Sequence, residues 1–255
     1  MSAAFALADG SAQFRCVMRL AILQARMSSS RLPGKVLKPL AGAPMVLRQI
    51  ERVQAARSID ALVLATSTDP TDDGLASVAR DAGVRVHRGP LNDVLARFIG
   101  TLEATPAETV VRLTADCPFA DPEIIDAAID LHLTRGADYT SNTPETFAFP
   151  KGLDVEVITA QALRRAAKNP SPAAREHVTW DIWKHPQSWR IAWLPSQGAD
   201  DGDIRWTVDT PDDYAFAAAV YEGLHAAKPA FRAADIRAFL ADRPDLAHFG
   251  GHRRL

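Results

Sequence analysis

Leu20-Ala21-Ile22-Leu23-Gln24-Ala25-Arg26-Met27-Ser28-Ser29-Ser30-Arg31-Leu32-Pro33-Gly34-Lys35 starts as an apolar run and turns at once into a loop of serines and cations. A short apolar run bounded by polar residues reads as a buried parallel strand. Comparable runs follow at Ala61–Ala65, Val84–Val86 and Val110–Leu113. Helical patterns lie between them. Met45 to Ala56 places Val46, Ile50 and Val53 on one face, and Asp72 to Ala82 and Asp93 to Leu102 behave similarly. Asp121-Pro122 reads as a cap and first helical residue, ahead of the stripe Ile124, Ile125, Ala128, Ile129. Repeated strand–helix–strand units predict an α/β fold, with a mostly parallel sheet and helices on both faces. Ligands of such sheets sit beyond the carboxyl ends of the strands, so the residues just after each strand carry the functional reading.

After the first strand, Arg26, Arg31 and Lys35 stand within ten residues of one another among serines. Backbone amides of such a turn can converge on an anion, while arginine adds forked donors and lysine a point charge. The arrangement suits a polyphosphate. It is not a Walker loop, because Ser29 and Val36 stand where that motif needs Gly and Ser or Thr, and no G-x-G-x-x-G is present. The plainer alternative is a solvated loop with chance charges, which its place after strand one disfavours.

Two aspartates hold matching positions. Asp116 follows the strand Val110–Thr114, and Asp209 follows Arg205-Trp206-Thr207-Val208, which also reads as a strand. Magnesium favours carboxylates together with substrate phosphates, so the pair facing the basic loop would complete a metal–triphosphate site. Helix capping is the rival role. Asp121 and Asp212 fit it, Asp209 could cap the helix starting at Thr210-Pro211, and Asp116 has no such local reason.

The bulk composition narrows the class. The chain has 255 residues, 47% hydrophobic and 24% charged, with a formal net charge of −2. A nucleic-acid binder usually carries a basic excess, so none is expected as a partner. No apolar run approaches the roughly 18 residues of a membrane span. Cys16 and Cys117 show no ligand spacing and read as free thiols of a reducing, cytoplasmic protein. Residues 1–17 read as a loose extension, and residues 18–255 as one domain with an insertion at about 140–204. Within it Leu153 to Ile158 reads as a strand, with Glu156 turned to the opposite face from its neighbours, where it could meet water. All five tryptophans fall between Trp180 and Trp206. They read as core and interface packing, or as a lining for a sugar. Arg175, Glu176 and His177 precede an apolar helical run, so His177 is either packed or catalytic. The acidic stretch Asp200-Asp201-Gly202-Asp203 reads as a solvated loop. Further helices are expected from Thr210 to about His225 and from Arg232 to Leu240.

Taken together these pieces resemble the cytidylyltransferase family that makes CMP-activated acidic sugars, above all its spore-coat polysaccharide (SpsF-like) branch. The likeness rests on Gln24-Ala25-Arg26-Met27 with Arg31 to Leu37, Ala65-Thr66-Ser67, Gly89 with Asp93 to Phe98, Arg112 to Pro118, Gly152 to Glu156, Arg175 to Thr179, and Arg205 to Asp209. It implies a GT-A/Rossmann-like nucleotidyltransferase fold with a dimerising, sugar-side insertion, and so a homodimer. It implies that Arg26, Arg31 and Lys35 hold the triphosphate beside Gln24 and Ala25, and that Asp116 with Asp209 holds Mg2+. Thr66, Ser67, Asp93 and Arg97 would lie near base and ribose. Asp154, Glu156, Arg175, Glu176 and His177 would lie in the sugar half. The activity implied is transfer of a nucleotidyl group, from CTP by preference, to an acidic or phosphorylated sugar, with release of pyrophosphate. Two alternatives stand beside it: a glycosyltransferase on the same fold, which would want a D-x-D where this chain has Thr114-Ala115-Asp116, and a non-catalytic nucleotide sensor.

Overall fold

A computed structural model describes residues 18–143, 148–196 and 201–248. The expected extension over 1–17, Cys16 and Asp200 lie outside them. Seven strands form one sheet: β1 (Arg19–Gln24), β4 (Ala61–Ser67), β5 (Arg85–Gly89), β6 (Thr109–Thr114), β7 (Tyr139–Ser141), β8 (Glu156–Thr159) and β9 (Ile191–Trp193). Their order is β5-β4-β1-β6-β8-β7-β9, and β2 (Pro39–Leu40) and β3 (Ala43–Pro44) form a separate small hairpin. β1 runs parallel to both β4 and β6, while β8 runs antiparallel to β6 and β7. The mixed, mostly parallel sheet expected from the repeating units is therefore present.

Strand β1 shows why its run is continuously apolar. Successive side chains of a strand point to opposite faces. Ala21 and Leu23 enter one core, with Ile50, Leu75, Ile125 and Phe216. Leu20 and Ile22 enter the other, with Phe98, Leu102, Leu163 and Ile182. The first core belongs to helices α1 (Met45–Gln54), α2 (Asp73–Asp81), α4 (Pro122–Arg135), α8 (Pro211–Leu224) and α9 (Ala233–Ala241). The second belongs to α3 (Val94–Ala104), α5 (Ala160–Ala166) and α7 (Trp180–Lys184), with α6 (Pro172–Glu176) beside it. Asp121 caps α4 as expected, accepting from Glu123 N at 3.0 Å, and its other oxygen reaches Ala233 N.

Two expected strands are corrected. Leu153–Val155 is not strand, because the Asn142 side chain occupies its backbone: Asn142 Nδ2 donates to Leu153 O and Asn142 Oδ1 accepts from Val155 N, both at 2.8 Å. β8 begins only at Glu156. Arg205–Val208 is extended but makes only an isolated bridge, Lys151 to Arg205. It crosses the strand ends instead, with Trp206 N bonded to Lys151 O at 2.6 Å and Val208 N to Asp116 O at 2.8 Å. Asp209 does not cap α8 either, since Thr210 and Asp213 form that capping box.

His132, near the end of α4, is buried against Thr140, with Nδ1 3.1 Å from Oγ1. Burial pushes its imidazole down to about 4. The unfolded chain protonates near 6.5, so below that value the unfolded state binds more protons. Stability is expected to fall as pH drops from about 6.5 toward 4, by up to about 3 kcal/mol in all. Urea unfolding at pH 7 and pH 5 checks this, and His132→Gln should flatten the difference.

Candidate active site

The carboxyl ends of β1, β4 and β6 lie side by side, Gln24 being in register with Ala65 and with Thr114. The chain leaves β1 into the basic loop. Met27 N is anchored to Asp72 Oδ1 at 2.7 Å, and Gly34 N returns to Met27 O at 3.0 Å. Gly34 adopts φ +69°, a left-handed turn that glycine takes without strain, and this delivers Lys35 inward. Although a lysine, Lys35 is buried. Its Nζ donates to Val208 O and Asp209 Oδ1, both at 2.8 Å, and stands 3.7 Å from Asp116 Oδ2. One cation from the first loop thus ties together both candidate aspartates.

Around this point opens a cleft of about 290 Å³ lined by Gln24, Ala25, Arg26, Ser29, Ser30, Arg31, Lys35, Val36, Val94, Arg97, Arg112, Thr114, Ala115, Asp116, Glu176, His177 and Asp209. Five of these are arginine or lysine and three are acids, an excess of cations in a chain of net charge −2. Such a local excess raises the concentration of an anionic ligand. The cations differ in how far they are satisfied. Arg31 stands 3.2 Å from Asp209 Oδ2 with its side chain largely exposed, and Arg26 makes only a loose pair with Glu176 at 3.8 Å. Arg112 is held from below by Gln24 Oε1 at 3.1 Å and by Glu156. Arg97 is buried at 2% exposure, and its Nε and Nη1 find no partner among the described residues. Burial, with the charge of Arg26 nearby, pulls its pKa below the ordinary arginine value. An unpartnered buried guanidinium on a cleft wall is costly unless an anion or acceptor completes it.

The two aspartates also differ. Burial works to raise the Asp209 carboxyl, but hydrogen bonds and charge from Lys35 and Arg205 outweigh it and hold it below the usual carboxylate range. Asp116 is more open to the cleft, its Oδ1 meeting only the Cys117 thiol at 3.4 Å. Burial, reinforced by Asp116, pushes that thiol's pKa up, so Cys117 is a packed thiol and no thiolate nucleophile.

Other expected site residues stand elsewhere. Thr66 and Ser67 are fully buried and do not line the cleft; Ser67 bonds Asp72, which holds the loop at Met27. Asp93 caps α3 through Ala96 N at 2.8 Å and pairs with Arg175 at 3.5 Å, in an adjoining recess shared with Arg26 and Glu176. Asp154 is outside both. Glu156 does not meet water: it is buried, paired with Arg112, and accepts from the Tyr139 hydroxyl at 2.6 Å and from Thr179 Oγ1 at 2.9 Å. Asp201 is likewise not solvated, being buried against Arg237. Nor do the tryptophans line the cleft. Trp206 packs edge-on to Phe119 in the core, and Trp183 and Trp193 are exposed. Two further site residues are Arg112, marked in the sequence by a charge inside the apolar run Val110–Leu113, and Asp72, which carries no such mark.

The sequence profile described as Cytidylyltransferase matches residues 20–233. The chain belongs to the cytidylyltransferase family. It is 36% identical over 235 residues to the spore coat polysaccharide biosynthesis protein SpsF of Bacillus subtilis (strain 168), covering 89% of this chain and 96% of that one. It superposes on a cytidylyltransferase from Leptospira borgpetersenii with a TM-score of 0.86 and 26% identity, over 94% of this chain and 99% of that one. A CMP:2-keto-3-deoxy-manno-octonic acid synthetase complexed with CTP shares the fold, with a TM-score of 0.60 and 15% identity over 81% of this chain and all of that one.

In this family member the segment carrying Asp209 is braced by Gly152. That residue has φ +112°, and a Cβ there would lie 2.8 Å from both Thr207 N and Trp206 C. Gly152→Ala is expected to destabilise by about 1–3 kcal/mol, lowering Tm by roughly 2–4 °C per kcal/mol in calorimetry, because both the backbone angle and the contact are against it.

Proposed function

We propose that the protein transfers a cytidylyl group from CTP to a hydroxyl of an acidic or phosphorylated sugar for surface polysaccharide or glycan synthesis. The observation that carries the reading is the cleft at the strand ends, where the buried, unpartnered Arg97 faces the same space as Arg31, Lys35 and Asp116. The family assignment supports cytosine as the base, as does the CTP held by the structurally similar synthetase.

In this reading the sugar oxygen attacks the α-phosphorus in line, the bond from that phosphorus to the bridging oxygen breaks, and pyrophosphate leaves with the electron pair. The hydroxyl proton passes to solvent. The protein's part is positioning and charge neutralisation. Arg26, Arg31 and Lys35 bind the phosphates, and Arg31 and Lys35 neutralise the departing pyrophosphate. Arg97 supplies donors at the nucleoside end. Glu176 and His177 border the sugar side.

Among the described residues no three His, Cys, Asp or Glu side chains form a ready metal cage. The donor set nevertheless suits magnesium, which keeps substrate phosphates and water in its shell and asks the protein for one or two carboxylates. Asp116, open to the cleft, would hold it. Asp209, which Lys35 Nζ holds at 2.8 Å beside Asp116, would be the second carboxylate. The ion, when bound, neutralises charge developing on the phosphate oxygens.

The glycosyltransferase alternative gains no support from the site, since Asp116 has no second acid in a D-x-D pattern. A homodimer is part of the proposal, supported by exposed Trp183 and Trp193 near the free edge at β9. A thermal-shift screen of the four nucleoside triphosphates with magnesium tests the nucleotide reading. A ligand at 100 times its Kd adds about 2.7 kcal/mol, so CTP should raise Tm most. A larger shift with another triphosphate would overturn the base choice, and no shift with any would overturn the site.

A further inference from the structure

Asp116 sits in a turn between β6 and α4, where strand pairing has ended and helix bonding has not begun. Cys117 N reaches back to Thr114 O at 3.3 Å and Ala120 N to Cys117 O at 3.1 Å, and side chains share Thr114 O and meet further carbonyls of the turn. From α1, Gln49 Nε2 donates to Thr114 O at 2.8 Å, and Arg52 donates from Nε to Ala120 O at 2.8 Å and from Nη2 to Phe119 O at 3.4 Å. From α8, the Tyr221 hydroxyl donates to Pro118 O at 2.7 Å. All three side chains are buried. Two of them are costly choices. Gln49 makes one bond while its buried Oε1 has no partner among the described residues, and Arg52 places a buried guanidinium, stacked 4.5 Å from the Phe231 ring, on backbone carbonyls. Their bonds satisfy backbone carbonyls, yet each side chain also carries a desolvation cost that stability alone rarely repays. Both costs converge on one turn. Tyr221 stays a donor throughout the working pH range, because burial pushes its hydroxyl up to about 12.

We propose that Gln49, Arg52 and Tyr221 are positioning residues that fix the Asp116 carboxylate against the reacting phosphate. The inference rests on the proposed nucleotidyl transfer. α1 also packs against the turn that starts at Lys35, and its first residue donates from Met45 N to Lys38 O at 2.8 Å, so the helix touches both the phosphate-binding turn and the acid's turn.

The test uses the full-length chain carrying Tyr221→Phe or Gln49→Met, both close in shape to the residue replaced. Pyrophosphate release is measured with CTP and a sugar that the wild type accepts, alongside CTP affinity by calorimetry and Tm. The expected result is a fall in kcat of at least about tenfold, within the roughly 10²-fold that a 1 Å misplacement can cost. CTP affinity should stay within about twofold, because the cationic loop is untouched, and Gln49→Met should change Tm little, because loss of the bond to Thr114 O, which keeps Cys117 N at 3.3 Å, is offset by removal of the orphaned oxygen. Variants with normal kcat, or variants whose activity falls only in step with the folded fraction, would overturn the clamp. A wild type that releases no pyrophosphate from any nucleoside triphosphate would instead overturn the proposed function, so the two failures are distinct.

Discussion

Asp116→Asn is expected to lower the rate of pyrophosphate release by about 10³-fold while leaving Tm within a few degrees of wild type. The magnitude is that of removing one electrostatic contact made in the transition state. The fold should survive because the turn does not depend on this carboxylate. Its carbonyls are held by Gln49, Arg52 and Tyr221, and its main-chain oxygen by Val208 N. The carboxylate itself meets only the Cys117 thiol and a lysine 3.7 Å away. Asparagine has the same shape and subtracts one negative charge from a cleft that binds an anion, so nucleotide affinity should hold or rise. A loss in kcat with no loss in CTP affinity separates a role in the reaction from a role in binding. Near-normal turnover would remove Asp116 from the chemistry.

Arg97→Met is expected to move stability and function in opposite directions. The guanidinium lies buried, and two of its nitrogens have no partner among the described residues. Its stem packs closely on Gly89, where an added Cβ would come within 2.8 Å of Arg97 Cγ. Methionine keeps much of that stem and removes the unsatisfied head. The gain is about 1–3 kcal/mol for one relieved group, or roughly 2–4 °C of Tm per kcal/mol. Nucleotide affinity should fall at least about tenfold, since a hydrogen bond to a charged group contributes about 1.5–3 kcal/mol. Differential scanning calorimetry and CTP titration on the same sample decide it. If Tm falls as well, Arg97 has a structural partner and its place in the nucleotide site is lost. Gain of stability with loss of function is the pattern of a residue kept for its ligand.

The parts of this molecule that were legible in the sequence are those fixed by local rules. β1, β4 and β6 announce themselves because strands buried on both faces must be apolar throughout, and Leu20–Leu23 enter two cores in alternation. Lys35 and Asp116 were legible because the residues after parallel strands face a common crevice. What escaped depends on what packs above a strand. Glu156 lies opposite Val155 and Val157, and that alternation cannot tell water from the buried Arg112, Tyr139 and Thr179 that receive it. Thr66 and Ser67 follow the right strand but turn inward to Asp72 and the core. Asp201 looked solvated because its partner, Arg237, lies 36 residues further on. Arg205–Val208 has a strand's composition, and only the tertiary fold shows that it crosses the strand ends and carries Asp209 to Lys35.

Nucleotidyl transfer in the cleft at the end of β1 has one direct readout, the release of pyrophosphate. The direct measurement incubates the protein with magnesium, each nucleoside triphosphate and a panel of acidic and phosphorylated sugars, and follows pyrophosphate. Pyrophosphate is expected from CTP, dependent on the sugar, with a CMP-linked product in equal amount. Absence of pyrophosphate with every triphosphate, together with release of a nucleoside diphosphate from a nucleotide-sugar donor, would contradict it.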